Sequence, residues 1–135
     1  MKPYKKLLIL CSLLSQCTPA PAITPAELDR LIPALERVES GGRADAIGDS
    51  GRAVGILQIW PEYVQDVNRI SGKTYRLSDR YIPAKSREMA RIYLMHYGKT
   101  KTMEQTARIH NGGPNGYKKP ATLKYWAKVK RELNK

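Results

Sequence analysis

Thr24-Pro25-Ala26-Glu27-Leu28-Asp29-Arg30-Leu31-Ile32-Pro33-Ala34-Leu35-Glu36-Arg37-Val38-Glu39-Ser40-Gly41-Gly42 contains a helix from cap to stop. Thr24 suits the N-cap, Pro25 the first helical position and Glu27 the third, where a carboxylate closes a capping box. Leu28, Leu31, Ile32, Leu35 and Val38 keep helical spacing, and Gly41-Gly42 ends the run. Pro33 lies inside the pattern and should kink the helix or divide it in two. Glu39 sits at the C-terminal end, beside unpaired carbonyls and the negative end of the helix dipole, so its proton is held more tightly. A general acid at neutral pH needs that property. A glutamate before a glycine stop is ordinarily a solvated terminus; the segments that follow single this one out.

Residues 45–59 are rich in glycine, and Gly48-Asp49-Ser50-Gly51 is turn chemistry, so a short loop or β-hairpin is expected there. Trp60-Pro61 opens a second helix with Val64, Val67 and Ile70 inward and Gly72 as its stop, followed by a polar loop to Ser78. A third helix from about Pro83 to Tyr97 turns Met89, Ile92, Tyr93 and His96 inward and ends at Gly98. Thr102-x-x-Gln105 caps a shorter helix to about His110, and Asn111-Gly112-Gly113-Pro114-Asn115-Gly116 is expected to be loop. The last helix, about Ala121 to Leu133, should bury Leu123, Trp126, Val129 and Leu133. No repeat, heptad or long low-complexity linker interrupts this order. The class is α+β, predominantly α, with about five helices and one short β or irregular segment after Glu39.

The 135 residues suffice for one domain with a real core. Lys2, Lys5 and Lys6, the apolar run Leu7–Leu14 and the small-x-small site Ala20-Pro21-Ala22 form a secretory leader over residues 1–22, leaving a domain over 23–135. Leu14-Ser15-Gln16-Cys17 also resembles a bacterial lipobox, with an unusual Gln before the cysteine, in which case the signal ends at 16 and Cys17 carries the anchor. Either route exports the protein, to the periplasm or the medium. Cys11 and Cys17 both lie in the leader, so the mature domain has no disulfide and is held by packing.

Removing Lys2, Lys5 and Lys6 lowers the formal charge from +12 to +9. From Lys99 onward, ten Lys or Arg face only Glu104 and Glu132. Such a segment suits an anionic cell-wall polymer or a membrane surface, or it is simply a solubilising face. Nucleic acid is not an expected partner for an exported chain. No C-x-x-C, H-E-x-x-H, P-loop or dinucleotide fingerprint is present, and no metal, cofactor or obligate oligomer is expected.

Cleaving a glycosidic bond requires a protonated acid at the leaving oxygen and a second group that stabilises the oxocarbenium-like centre or delivers water. Glu39 fits the first role. Asp49, in a polar turn, fits the second, with Asp45 as runner-up. Three segments then resemble, in order, the E-S, G-x-x-Q and x-x-N-G-G motifs of lysozyme-like muramidases and soluble (SLT-domain) lytic transglycosylases. They are Glu39-Ser40, Gly55-Ile56-Leu57-Gln58-Ile59 and Ile109-His110-Asn111-Gly112-Gly113. Residues 107–116, with Thr122 and Tyr125-Trp126-Ala127-Lys128-Val129, closely resemble invertebrate-type (destabilase-like) lysozymes, and the likeness extends over nearly all of 35–130.

The resemblance implies a lysozyme-like fold with Glu39 as the acid, Ser40 supporting its orientation and Asp49 in the region of the second carboxylate. It implies sugar contact for Gln58 and a saccharide-lining loop at Asn111, Gly112 and Gly113. His110 reads as a structural or cleft-lining residue in preference to a catalytic base, while Tyr97 and Trp60 either stack on sugar rings or pack in the core. The implied activity is cleavage of the β-1,4 bond between N-acetylmuramic acid and N-acetylglucosamine in peptidoglycan. Hydrolysis uses Asp49, whereas lytic transglycosylation lets the sugar's own 6-hydroxyl attack and gives a 1,6-anhydro product. A wall-binding module without catalysis is the other reading, against which the intact Glu39 argues. One departure stands out: invertebrate-type lysozymes are rich in disulfides, and here Tyr117 stands where they usually have a cysteine.

Overall fold

In the computed structural model, which describes residues 18–135, Thr24 opens α1 (Pro25–Ser40) with a closed capping box. The Thr24 hydroxyl accepts from the Glu27 N–H, and the Glu27 carboxylate accepts from the Thr24 N–H. The expected leader up to Cys17, with both cysteines and the candidate anchor site, lies outside the described residues. Gly41 stops α1 at φ 65°, a left-handed conformation that glycine adopts without strain. Pro33 does not divide the helix. It lies on the exposed face together with Asp29, the residue whose carbonyl it leaves without a helical donor, so water can take that place.

The chain continues through an antiparallel hairpin, β1 (Ile47–Gly48) and β2 (Ala53–Val54), with a 3-10 turn over Asp49–Gly51 at its tip. Four helices follow: α2 (Pro61–Ser71), α3 (Pro83–Tyr97), α4 (Met103–Gly112) and α5 (Leu123–Leu133). The fold is therefore predominantly α with one small sheet. α1 packs against α3, α4 and α5, while α2 packs against α3. Leu28, Leu31 and Leu35 of α1 are fully buried in that core, each contributing about 1.5–3 kcal/mol of apolar transfer. Among the described residues no helix is long and apolar enough to cross a membrane.

Several expected positions move. On α2, Tyr63 joins Val64 and Val67 in the core, and Ile70 is only half-buried. On α3 the inward row is Ser86, Met89, Ala90, Tyr93 and Leu94, which leaves Ile92 half-buried and His96 exposed. Asn111 and Gly112 are not loop: α4 carries them as its last turn and ends at Gly113, φ 83°. On α5 the buried residues are Tyr125 and Val129, whereas Leu123 is 49% exposed and Trp126 and Leu133 are half-buried. A 3-10 turn over Pro120–Thr122 feeds this helix, and Thr122, Tyr125 and Val129 align inward at helical spacing. Tyr117 packs half-buried against the core, with the Lys101 and Lys118 ammonium groups 4.8 and 5.5 Å from its ring centre.

Candidate active site

The three motifs meet at one backbone segment, residues 55–59. Val54 and Ile59 bridge its ends, exchanging N–H···O=C bonds of 3.2 and 3.0 Å. Three carbonyls of the segment are claimed by side chains from elsewhere. Ser40 Oγ donates to Ile56 O at 2.8 Å, His110 Nε2 to Leu57 O at 3.1 Å, and Arg80 Nη1 to Ile59 O at 2.9 Å. Gln58 sits at φ 49°, which is strained for a non-glycine residue. Its Nε2 compensates by donating to Ala46 O and Gly55 O at 3.1 and 2.9 Å. The E-S serine, the G-x-x-Q glutamine and the histidine before N-G-G are thus joints of one loop as well as motif residues.

Glu39 stands where α1 faces this loop, its side chain 17% exposed. Tyr125 Oη donates to Glu39 Oε1 at 2.7 Å from across the sequence. Burial pushes the Glu39 carboxyl up to about 7; the Tyr125 hydrogen bond opposes the rise and the charge of Asp49 adds to it. Since Oε1 accepts from Tyr125, the proton of the acid form belongs on Oε2. Burial of this carboxyl is therefore the main cause, where the sequence pointed to the helix end.

His110 lies 3.6 Å from Glu39 Oε1 with its side chain 3% exposed. Burial pulls its pKa down to about 4, so the imidazole is neutral at pH 7 and the contact is not an ion pair. Its tautomer follows from its partners. A carbonyl only accepts, so Nε2 carries the hydrogen toward Leu57, and Nδ1 accepts from Tyr63 Oη at 3.2 Å. Tyr63 in turn stacks on Tyr93, ring centres 3.7 Å apart.

These groups line a cleft of about 680 Å³ shared by the hairpin, α2, α3 and the end of α4. Glu39, Asp49, Gln58, His110, Asn111, Gly112 and Gly113 all border it. Asp49 projects from the hairpin tip at φ 47° and accepts from Trp60 Nε1 at 3.2 Å. Asp45 lies in the preceding turn, outside the lining. Trp60, 40% exposed, borders the cleft with the Arg52 guanidinium 4.6 Å from its ring centre. Ser40 and Tyr97 do not line it. Ser40 acts below the surface on the loop, and Tyr97 donates to Asp66 Oδ2 at 2.5 Å. Sequence reasoning quoted Tyr125 without giving it a role and missed Tyr63. An inward aromatic hydroxyl needing a buried partner is the signal that could have found both. Among the described residues no group of three or more His, Cys, Asp or Glu is placed to hold a metal ion.

The family model described as "Transglycosylase SLT domain" matches residues 19–132. A lysozyme from Ostrea edulis is 37% identical over 82 residues, so the chain spans 58% of that protein's length, with 58% of its own length aligned. An invertebrate-type lysozyme from Ruditapes philippinarum is 36% identical over 97 residues, covering 67% of this chain and 70% of that one. A chain in the crystal structure of Aeromonas hydrophila PliI in complex with Meretrix lusoria lysozyme superposes with a TM-score of 0.66 at 26% identity, over 84% of this chain and 93% of that chain. With the motifs gathered at one loop and the family match running through nearly all described residues, this protein belongs to the transglycosylase SLT domain family, with invertebrate-type lysozymes among its relatives.

Proposed function

We propose that the chain is an exported glycosidase that cuts the N-acetylmuramic acid–N-acetylglucosamine β-1,4 bond of peptidoglycan, with Glu39 as general acid. The observation that carries this reading is a carboxyl raised to about 7 by burial, opening on a cleft that a second carboxylate also lines. At pH 7 roughly half of such a group is protonated, the balance that favours proton donation. Glu39 Oε2 delivers that proton to the glycosidic oxygen as the bond breaks. Positive charge then develops at the anomeric carbon opposite the Asp49 carboxylate, and a water adds to that carbon and gives up a proton to Asp49, completing hydrolysis. Neutral His110, both nitrogens already bonded, holds the wall in place and moves no proton. Cleavage after Ala22 or lipidation at Cys17 would each show in the mass of the mature N-terminus; a chain retaining Met1 in a membrane-free cell extract would contradict export.

Transglycosylation is the competing chemistry, favoured by the description of the matching family model. Asp49→Asn discriminates the two. Hydrolysis that depends on Asp49 predicts a fall in kcat of about 10²–10³, with muropeptide products containing the added water. Near-normal turnover of the variant, with anhydro products one water lighter by mass spectrometry, would move the assignment to transglycosylation.

Tyr125 has a separable role. Its hydrogen bond holds Glu39 in one rotamer and lowers its pKa against the effect of burial. Tyr125→Phe is expected to cut kcat about tenfold through lost orientation and to shift the alkaline limb of the pH–rate profile upward. A reduced rate with an unmoved alkaline limb would leave Tyr125 as packing only.

A further inference from the structure

The cleft lining contains four carboxylates, Glu39, Asp49, Glu62 and Asp66, and one ammonium, Lys119. Glu62 and Asp66 are paired, with Arg52 and Arg69 respectively, and Glu39 shares its pKa region with neutral pH. Lys119 has no carboxylate within ion-pairing distance among the described residues; its Nζ donates to the Gly112 carbonyl at 2.6 Å. Gly112 closes α4, so its carbonyl has no helical donor and lies at the negative end of the helix dipole. That contact holds the ammonium in place and leaves it two further donors and its full charge.

The position of Lys119 is built by the backbone around it. Its N–H donates to Gly116 O at 3.0 Å, and its carbonyl accepts from Thr122 Oγ1 at 2.8 Å and Arg108 Nη2 at 3.2 Å. The lysine arm crosses Gly112 closely, its Cδ lying 3.6 Å from where a Cβ on Gly112 would stand. A Cβ on Gly112 would instead meet the Thr122 methyl at 2.8 Å, so the second residue of the N-G-G motif is kept small by Thr122, with the lysine arm in ordinary contact beside it.

We propose that Lys119 is the carboxylate-recognising residue of the cleft, reading the acidic substituent that muramic acid carries and N-acetylglucosamine lacks. This rests on the muramidase reading above. The carboxylate has two possible sources: the lactyl group, free on stem-stripped strands, and the acidic residues of the stem peptide. Either gives the unpaired cation an anionic partner, while a polymer of N-acetylglucosamine alone offers none. Lys119 thereby sets the preference for peptidoglycan over neutral chitin-like glycans.

The test is binding, measured by calorimetry on soluble oligosaccharides of equal length: peptide-bearing, amidase-stripped, and N-acetylglucosamine only. Lys119→Met is expected to weaken the acid-bearing glycans about tenfold, the worth of one charged hydrogen bond, and to leave the neutral oligomer within about twofold. Lys119→Arg should retain most of the affinity, and added salt should narrow the wild-type preference. Loss on the stripped strand identifies the lactyl carboxylate, and loss only on the peptide-bearing strand identifies the stem; both support the assignment. Equal losses on all three glycans, or no loss on any, overturn it. Since binding is read instead of turnover, a protein that binds these glycans but cleaves none would sink the glycosidase reading alone.

Discussion

Glu39→Gln is expected to remove glycan cleavage, by about 10²–10⁴ in kcat, and to make the protein more stable at pH 8. Both effects come from one desolvated carboxyl. Its pKa rises from 4.5 to about 7 on folding, so the folded state binds the proton more tightly. Between those values the unfolded state carries fewer protons, and stability falls as pH rises through the window. The full loss by pH 8 is about 3 kcal/mol. Glutamine avoids it and still accepts the Tyr125 hydrogen bond.

His110 has the opposite slope. Its pKa falls from 6.5 to about 4 on folding, so stability drops as pH falls through that range. From pH 4.5 to 6.5 the two slopes oppose each other in the wild type. In Glu39→Gln only the histidine slope remains, so the difference between variant and wild type grows with pH by about 1.4 kcal/mol per unit until pH passes 7. Urea denaturation at pH 4.5, 6.5 and 8 reads this directly. A variant no more stable than wild type at pH 8 would show that the carboxyl is not desolvated, and the case for Glu39 as a proton carrier at neutral pH would fail with it.

What the sequence made legible here was local. The Thr24 cap, the Gly41 stop and the turn at Asp49 depend on neighbours a few residues away, and each stands as expected. The environment of Glu39 depends on Tyr125, 86 residues away, and on His110 packed beside it. Periodicity placed Val129 in the core and Trp126 and Leu133 against it, but it put Leu123 inward in place of Tyr125, whose hydroxyl made it look like a surface position. The motif resemblance located Gln58 and Ser40 but could not distinguish touching sugar from tying the loop. The Ser40 hydroxyl bonds only backbone groups, and Gln58 lines the cleft with its amide donors already committed.

Gly55→Ala should be among the most damaging single substitutions in the cleft wall. Gly55 sits at φ +83°, and a Cβ there would stand 1.9 Å from the Arg80 carbonyl oxygen and 2.9 Å from its carbon. Those are backbone atoms and cannot swing aside. The Arg80 carbonyl is also held by Ser86 Oγ at 2.7 Å. The Arg80 guanidinium, on a residue 7% exposed, donates to the carbonyls of Leu77, Arg52 and Ile59. Moving either segment breaks buried hydrogen bonds, one of them to a cation. A cost of about 3–5 kcal/mol follows, a large part of the stability of a domain this size.

Gly51→Ala supplies the control. Its φ is +91°, yet nothing lies within 4 Å of the added Cβ, so only left-handed strain of about 1–2 kcal/mol applies. The gap between the two variants in urea denaturation isolates the steric contact from the conformational cost. Any Gly55→Ala molecules that fold must displace residues 55–58, and with them the Leu57 carbonyl that fixes His110 and the Ile56 carbonyl that fixes Ser40. Cleavage should therefore fall further than the folded fraction does. Equal stability of the two variants would mean that the Arg80 backbone yields freely, and the loop joining the three motifs would not be the rigid wall on which the position of Glu39 depends.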